Sequence, residues 1–347
     1  VNVASTIAPG RDFLFANLHG RWSGALRGDE LRRIVQSGSS DLLLRALAGR
    51  GLRVESLADA RRLLVVGLAD ELAKLMALAD PATARFYQAF LFRFWYEDLK
   101  TVLHVRALGV RDVPPEDLLL DLEALPKLPY TQLLEARNGA AFAAALPKPH
   151  RRSDAIAAIV DELATTGNIP VADAAFDRLF FAEFMVAAER CPRSARPLAV
   201  ALVGLEIDTA NVITILRNRR TYQLPVEEVR ALCIPGGPGT DGRKLEPLLD
   251  ARSPAEAAVK LPRPLSSCLR DRQLDELANV EDSLRRALFQ LARRGFHDFE
   301  RPARTSIAYP YLRWWEDLDI GRVCEGIRFG MVPAELSRIL IGEGAYV

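Results

Sequence analysis

The sequence lacks most of the features that mark an enzyme, a metalloprotein or a membrane span. It has no excess charge of either sign: Lys+Arg 46 against Asp+Glu 45 leave a net +1. No global field exists to hold a polyanion, so a nucleic-acid partner is not expected. Cysteine is sparse, and Cys191, Cys233, Cys268 and Cys324 lie too far apart for CxxC metal or redox spacing or for a disulfide framework. They read as reduced thiols. The longest charge-free apolar stretch, 197–205, is closed by Glu206 and Asp208 and is too short to cross a bilayer. The first ten residues lack the basic start and apolar core of a signal peptide, so neither a leader nor a transmembrane span is expected.

Catalytic and ligand-binding signatures are equally scarce. His19, His104, His150 and His297 are isolated from the cysteines and from one another at ligand spacing, and no HExxH appears. Gly20-Arg-Trp-Ser23-Gly24 places its serine one position late for a nucleophile elbow. The glycine-rich stretch from Ile234 to Lys244 lacks the closing Gly-Lys-Ser/Thr of a phosphate loop and reads as a flexible interdomain loop. No catalytic residue, metal or cofactor is therefore expected. Strand-type alternation is also missing.

What is present is helix. A chain with 49% hydrophobic and 26% charged residues can bury cores and stay soluble, and 347 residues suggest two or three of them. Leu57, Ala60, Leu63, Leu64, Leu68, Leu72, Leu75 and Met76 form one apolar stripe at three- and four-residue spacing. Prolines and glycines punctuate such patterns throughout, which predicts an all-α fold with long helices over 81–109, 194–220 and 302–328.

The pattern repeats. Leu133–Leu146 aligns without a gap on Leu248–Leu261, and Ile34–Leu47 is a candidate third copy. A second element follows in the same order. Asn211-Val-Ile-Thr-Ile-Leu-Arg217 with Leu224-Pro-Val-Glu227 matches Asp319-Ile-Gly-Arg-Val-Cys-Glu325 with Val332-Pro-Ala-Glu335. The third copy is Asp98–Arg106 with Val113-Pro-Pro-Glu116. Three units result, over 1–124, 125–238 and 239–347.

Acidic residues cluster at Glu97 and Asp98, at Glu206 and Asp208, and at Glu316, Asp317 and Asp319. Acid–base pairs are one reading. Their recurrence at corresponding places favours an architectural one, as caps or seams between helices. Arg217, Arg219 and Arg220, with Arg106 and Arg328 at equivalent places, suit either solvated helix ends, where cations complement the macrodipole, or an acidic partner or phospholipid head groups. Phe92, Phe94, Trp95 and Tyr96, and Tyr309, Tyr311, Trp314 and Trp315, fit interhelical packing or an aromatic interface anchor.

Taken together, these residues resemble the C-type rotor subunits of A/V-type rotary ATPases, a family whose eukaryotic counterpart is the d-type subunit of the V-ATPase. The resemblance rests on Glu206-Ile-Asp208 leading to Asn211–Arg217, on Glu97-Asp98 leading to Leu103 and Arg106, and on Tyr309–Glu316 followed by Gly330-Met-Val-Pro333-Ala-Glu335. Phe13–Arg21 is similar to the family's opening motif. Departures fall at Arg313-Trp314, Asp319 and Gly321, where the family has Lys-Glu, Asn and Arg.

The resemblance implies a funnel-shaped body of three pseudo-threefold-related helical units. It further implies a non-catalytic rotor adaptor or socket, which joins central-stalk subunits D and F to the membrane proteolipid ring of c/K subunits and passes torque between them. Such a protein is peripheral, on the cytoplasmic face of a membrane, in a complex that moves protons or sodium ions. The candidate interface residues are then Arg106, Arg217, Arg219, Arg220, Arg328, Trp314 and Trp315. An all-α scaffold of the same fold without a rotary role is the alternative that the residues leave open.

Overall fold

The computed structural model describes residues 11–109, 114–147, 152–261, 265–268 and 277–342. Residues 1–10, Val113, His150, Pro262 and Pro264 lie outside them, as do the side chains of Glu116 and Cys268. Among the described residues every regular element is a helix, so the chain is all-α.

In chain order the helices are α1 (Arg11–Ser23), α2 (Gly28–Ser37), α3 (Ser40–Ala48), α4 (Leu57–Met76), α5 (Pro81–Leu108) and α6 (Pro115–Leu118). Then come α7 (Tyr130–Glu135), α8 (Gly139–Ala145), α9 (Ser153–Thr166), α10 (Ile169–Glu189), α11 (Arg196–Arg217) and α12 (Val226–Leu232). The last are α13 (Glu246–Leu249), α14 (Pro254–Lys260), α15 (Leu265–Cys268), α16 (Leu277–Phe296), α17 (Pro302–Arg328) and α18 (Pro333–Ile339).

Local chemistry sets these limits. The Asp80 carboxylate accepts from the Ala82 and Thr83 N–H groups, and Pro81 begins α5 without losing a hydrogen bond. Pro302 and Pro333 open α17 and α18 in the same way. The three long helices lie within a few residues of their sequence limits, and α17 matches them at both ends. The second is lengthened by one π-helical turn, Asn218–Tyr222, ending on left-handed Gln223 (φ 53°).

The three stretches aligned in sequence, 34–47, 133–146 and 248–261, each lie across a short helix, a break, and a second helix capped at the break. Ser39, Asn138 and Ser253 occupy the same position of the alignment, and each side chain accepts the N–H three residues on, from Leu42, Ala141 and Glu256. This is the N-cap bond that satisfies one of a helix's orphan donors. Glu256 also accepts from the Arg252 N–H, which tightens the third copy.

The chain divides into two compact units. The first comprises Val1–Gln88, Ala187–Leu202 and Arg285–Val347. Its core includes Leu31, Ile34, Leu43, Leu47 and Leu64 packed with Ile320, Val323 and Leu336. The second comprises Ala89–Val186 and Val203–Leu284. There Phe180 and Phe184 of α10 pack against each other, Phe180 against Tyr96 and Phe184 edge-on against Phe90 of α5. Gly139 lets α8 approach α9 so closely that a Cβ would collide with the Ala157 carbonyl.

The helix over Arg196–Tyr222 is long and apolar enough to cross a membrane, with a mean hydropathy of 1.7 over its best window. That is longer than the charge-free run suggested. Two-thirds of the window is buried inside the chain, and both of its acids have internal partners, so it serves here as a core helix.

Candidate functional site

The acidic clusters of the long helices resolve into two sets of polar grips. In the first, Asp98, Asn211 and Asp319 occupy equivalent positions on α5, α11 and α17. Asp98 accepts the N–H groups of Leu120 and Asp121, the former 22 residues downstream. Asn211 exchanges two bonds with Ile234, 23 residues downstream, through its amide oxygen and nitrogen. Asp319 accepts from Ile341, 22 residues on, and from Gly342. In each case the side chain ties down the backbone just past the short helix that follows the long one, at α6, α12 and α18.

The second set lies one turn earlier. Trp95 Nε1 donates to the Pro126 carbonyl and Asp208 accepts from the Gly239 N–H, each 31 residues away. Glu316 accepts from the N–H of Leu26, near the start of the chain. Pro126, Gly239 and Leu26 each lead into a copy of the first repeated element. The last link runs back to the start of the chain, within one compact unit. Burial pushes the carboxyls of Asp208 and Asp319 upward, against the backbone donors that favour their ionised forms.

The glycine-rich loop differs from its expected flexibility. Asp208 binds Gly239 N–H and the Thr240 hydroxyl, and Asn211 Nδ2 donates to Thr240 Oγ1 at 2.8 Å. Gly237 and Gly239 lie against the Asp208 carboxylate with no room for a Cβ. The glycines here permit close approach to a side chain and do not signal a loose linker.

Other acids are also engaged, whereas the buried Oδ2 of Asp317 has no hydrogen-bond partner. Glu206 pairs with Arg93 at 2.8 Å, and Arg93 also lies over the Phe90 ring. Glu97 and Asp177 hold Lys100 at 2.8 and 2.6 Å, which raises the lysine's affinity for its proton against the cost of burial. On α4, Glu71 accepts from Tyr309 Oη (2.6 Å), Arg313 Nε (3.1 Å) and Arg21 Nη1 (3.2 Å). Arg313 also pairs with Glu316. Sequence reasoning missed Glu71, although a signal was present: it sits three residues after Leu68 and four before Leu75, on the apolar stripe of its own helix.

Among the described residues no group of three or more His, Cys, Asp or Glu side chains has metal-binding geometry. His104 meets Asp173 at 2.8 Å. His19 and His297, remote in sequence, have ring centroids 6.1 Å apart, and Phe296 and Phe299 pack on both. Burial, and the proximity of His297, press the His19 imidazole toward neutrality.

The candidate interface residues differ in setting. Arg106 donates to the Leu133 carbonyl and lies over Phe142, Arg219 donates to the Leu249 carbonyl, and Arg217 makes a two-point pair with Glu281. Arg220 is exposed. Arg328 is exposed beside Phe329, itself 73% exposed, with the guanidinium 5.1 Å from the ring centroid. Trp314 is half-buried, its ring 5.2 Å from that of Trp315, which is 3% exposed in the interior.

Compared with known proteins, the chain matches a family model described as ATP synthase (C/AC39) subunit over residues 14–339. No curated protein matches it.

Proposed function

The chain belongs to the ATP synthase (C/AC39) subunit family, and from that membership we propose that it is the non-catalytic rotor adaptor of an A/V-type ATPase. In this role it is the socket between the central-stalk subunits D and F and the proteolipid ring, and it carries torque from one to the other. Its place is the cytoplasmic face of the membrane, reached through the complex. The observation that carries the reading is the extent of the match, which takes in all three copies of the repeated elements.

The polar grips support the same reading on physical grounds. A torque-bearing part has to resist shear between its helices, and buried side-chain-to-backbone bonds do this because breaking one exposes an unsatisfied donor. The recurring grips also support the three-unit organisation over 1–124, 125–238 and 239–347, with the third unit linked back to the first through Glu316 and Leu26. Of the acids that look like candidate acid–base pairs in sequence, Asp98, Asp208, Glu316 and Asp319 accept backbone N–H groups, and Glu97 and Glu206 pair with Lys100 and Arg93.

The test is co-purification. The tagged chain, recovered from detergent-solubilised membranes and washed with salt, is expected to retain the stalk subunits and a small, very apolar proteolipid. Recovery of neither, with the chain folded, overturns the rotor reading in favour of a scaffold without a rotary role.

A further inference from the structure

The three long helices each leave a large apolar side chain in water at the same place. Leu108 at the end of α5 is 69% exposed, Tyr222 beyond α11 65%, and Phe329 beyond α17 73%. Each immediately precedes a left-handed residue that ends the helix: Gly109 (φ 67°), Gln223 (φ 53°) and Gly330 (φ 68°). Leu108 and Phe329 lie ten residues after Asp98 and Asp319, whereas Tyr222 lies eleven after Asn211. The π-helical turn Asn218–Tyr222 takes up the extra residue and so brings Tyr222 to the equivalent position. That turn is held: Asn218 exchanges two side-chain bonds with Leu224, and its carbonyl accepts the Gln223 N–H. A left-handed residue other than glycine is thereby fixed just where it presents Tyr222.

Apolar side chains scattered singly over a surface are ordinary. Three at one repeated position are not scattered, and their exposure means that packing within the chain does not require them. We propose that Leu108, Tyr222 and Phe329 are equivalent contacts for a partner that repeats one apolar surface, namely the proteolipid copies of the membrane ring, an assignment that rests on the rotor reading above.

Area and charge select this occupant. An aromatic side chain buries about 150–250 Å², far short of the roughly 800 Å² per partner in a stable pairwise interface, so no one end holds a second copy of this chain. Exposed Met331 and Val332 enlarge the third end without closing that gap. Three like contacts onto a repeated surface add up, because each one after the first forms at high effective concentration. The stalk subunits D and F are two different chains and offer no such repetition. An anionic lipid surface draws on clusters of about four to eight cations. Here Arg106 and Arg219 hold the Leu133 and Leu249 carbonyls, and the short helices that follow the three ends carry Asp117, Glu227 with Glu228, and Glu335.

The test is the same co-purification with L108Q, Y222Q and F329Q, singly and together, scoring stalk subunits and proteolipid separately. Melting temperatures are expected to stay unchanged, because these side chains are in water. The triple variant should retain the stalk subunits at the unmodified level while proteolipid recovery falls at least about tenfold. Each single variant should lower it by about two- to threefold, which keeps the test independent of how the triple variant folds. V259Q, at an exposed apolar position on α14 outside the repeated pattern, should change neither.

Failure of the rotor reading looks different: the unmodified chain then retains neither stalk nor proteolipid, and the proposal falls with it. Where the unmodified chain retains both, the proposal alone is overturned by full proteolipid recovery in the folded variants, by loss of stalk subunits with them, or by an equal loss in V259Q. Full proteolipid recovery together with variant-sensitive self-association, or with variant-sensitive binding to protein-free vesicles of the membrane lipids, overturns it in favour of a second copy or of lipid.

Discussion

Replacing Asp98, Asn211 or Asp319 by alanine leaves at least one inward-facing backbone N–H without its acceptor, an expected loss of about 1–3 kcal/mol each, read as a lower unfolding midpoint. D319N should cost clearly less than D319A, because an amide oxygen still accepts and Asn211 already does this work in the second copy. Aspartate at position 319 thus holds backbone as Asn211 does on its own helix. Asp317 should respond to pH in a defined direction. Its folded pKa is raised above the unfolded value, so its contribution to stability is present in acid and is lost as pH rises from the ordinary carboxylate range toward the folded value. The melting temperature of D317N relative to the unmodified chain is therefore expected to climb with pH; a constant difference would remove the argument. These positions were legible in sequence to different degrees. Repetition marked Asp98, Asn211 and Asp319 as polar positions in corresponding places, but the chain cannot show which backbone donors they meet. Glu71 was hidden because its partners Tyr309 and Arg313 lie on a helix remote in sequence.

At the scale of elements, α-helical periodicity and breakers were sufficient to place α4, α5, α11 and α17, since each is long, striped and opened or closed by a strong local signal. The glycine-rich loop was misread for a physical reason: glycine gives the same composition whether a segment is free or must pass close to a carboxylate. Gly239→Ala should accordingly destabilise the fold, because the new Cβ would meet Asp208 at 2.8 Å and force the loop off its anchor. The aligned N-caps give a second check on the repeat. Alanine at Ser39, Asn138 or Ser253 is expected to cost about 0.5–2 kcal/mol in each case, measured by chemical denaturation. A large effect at one cap and none at the other two would mean that the three copies do not share a structural role.

At the scale of the whole chain, buried polar bonds hold backbone at corresponding places on three long helices, which is what the proposed mechanical role requires of them. The candidate arginines divide by setting. Arg106, Arg217 and Arg219 hold internal carbonyls or a carboxylate, so reversing their charge should lower both assembly and melting temperature. Arg328→Glu, at an exposed helix end, should weaken assembly with little change in melting temperature. Equal losses in both would place Arg328 with the structural arginines. Transmission of torque without catalysis is the property on which the proposed role stands or falls. It is decided by ATP-driven ion transport in membranes stripped of this chain and then reconstituted with it. ATP hydrolysis by the soluble head should persist without the chain while transport is lost, and adding the chain back should restore transport. Transport that continues at full rate in its absence would contradict the rotor role.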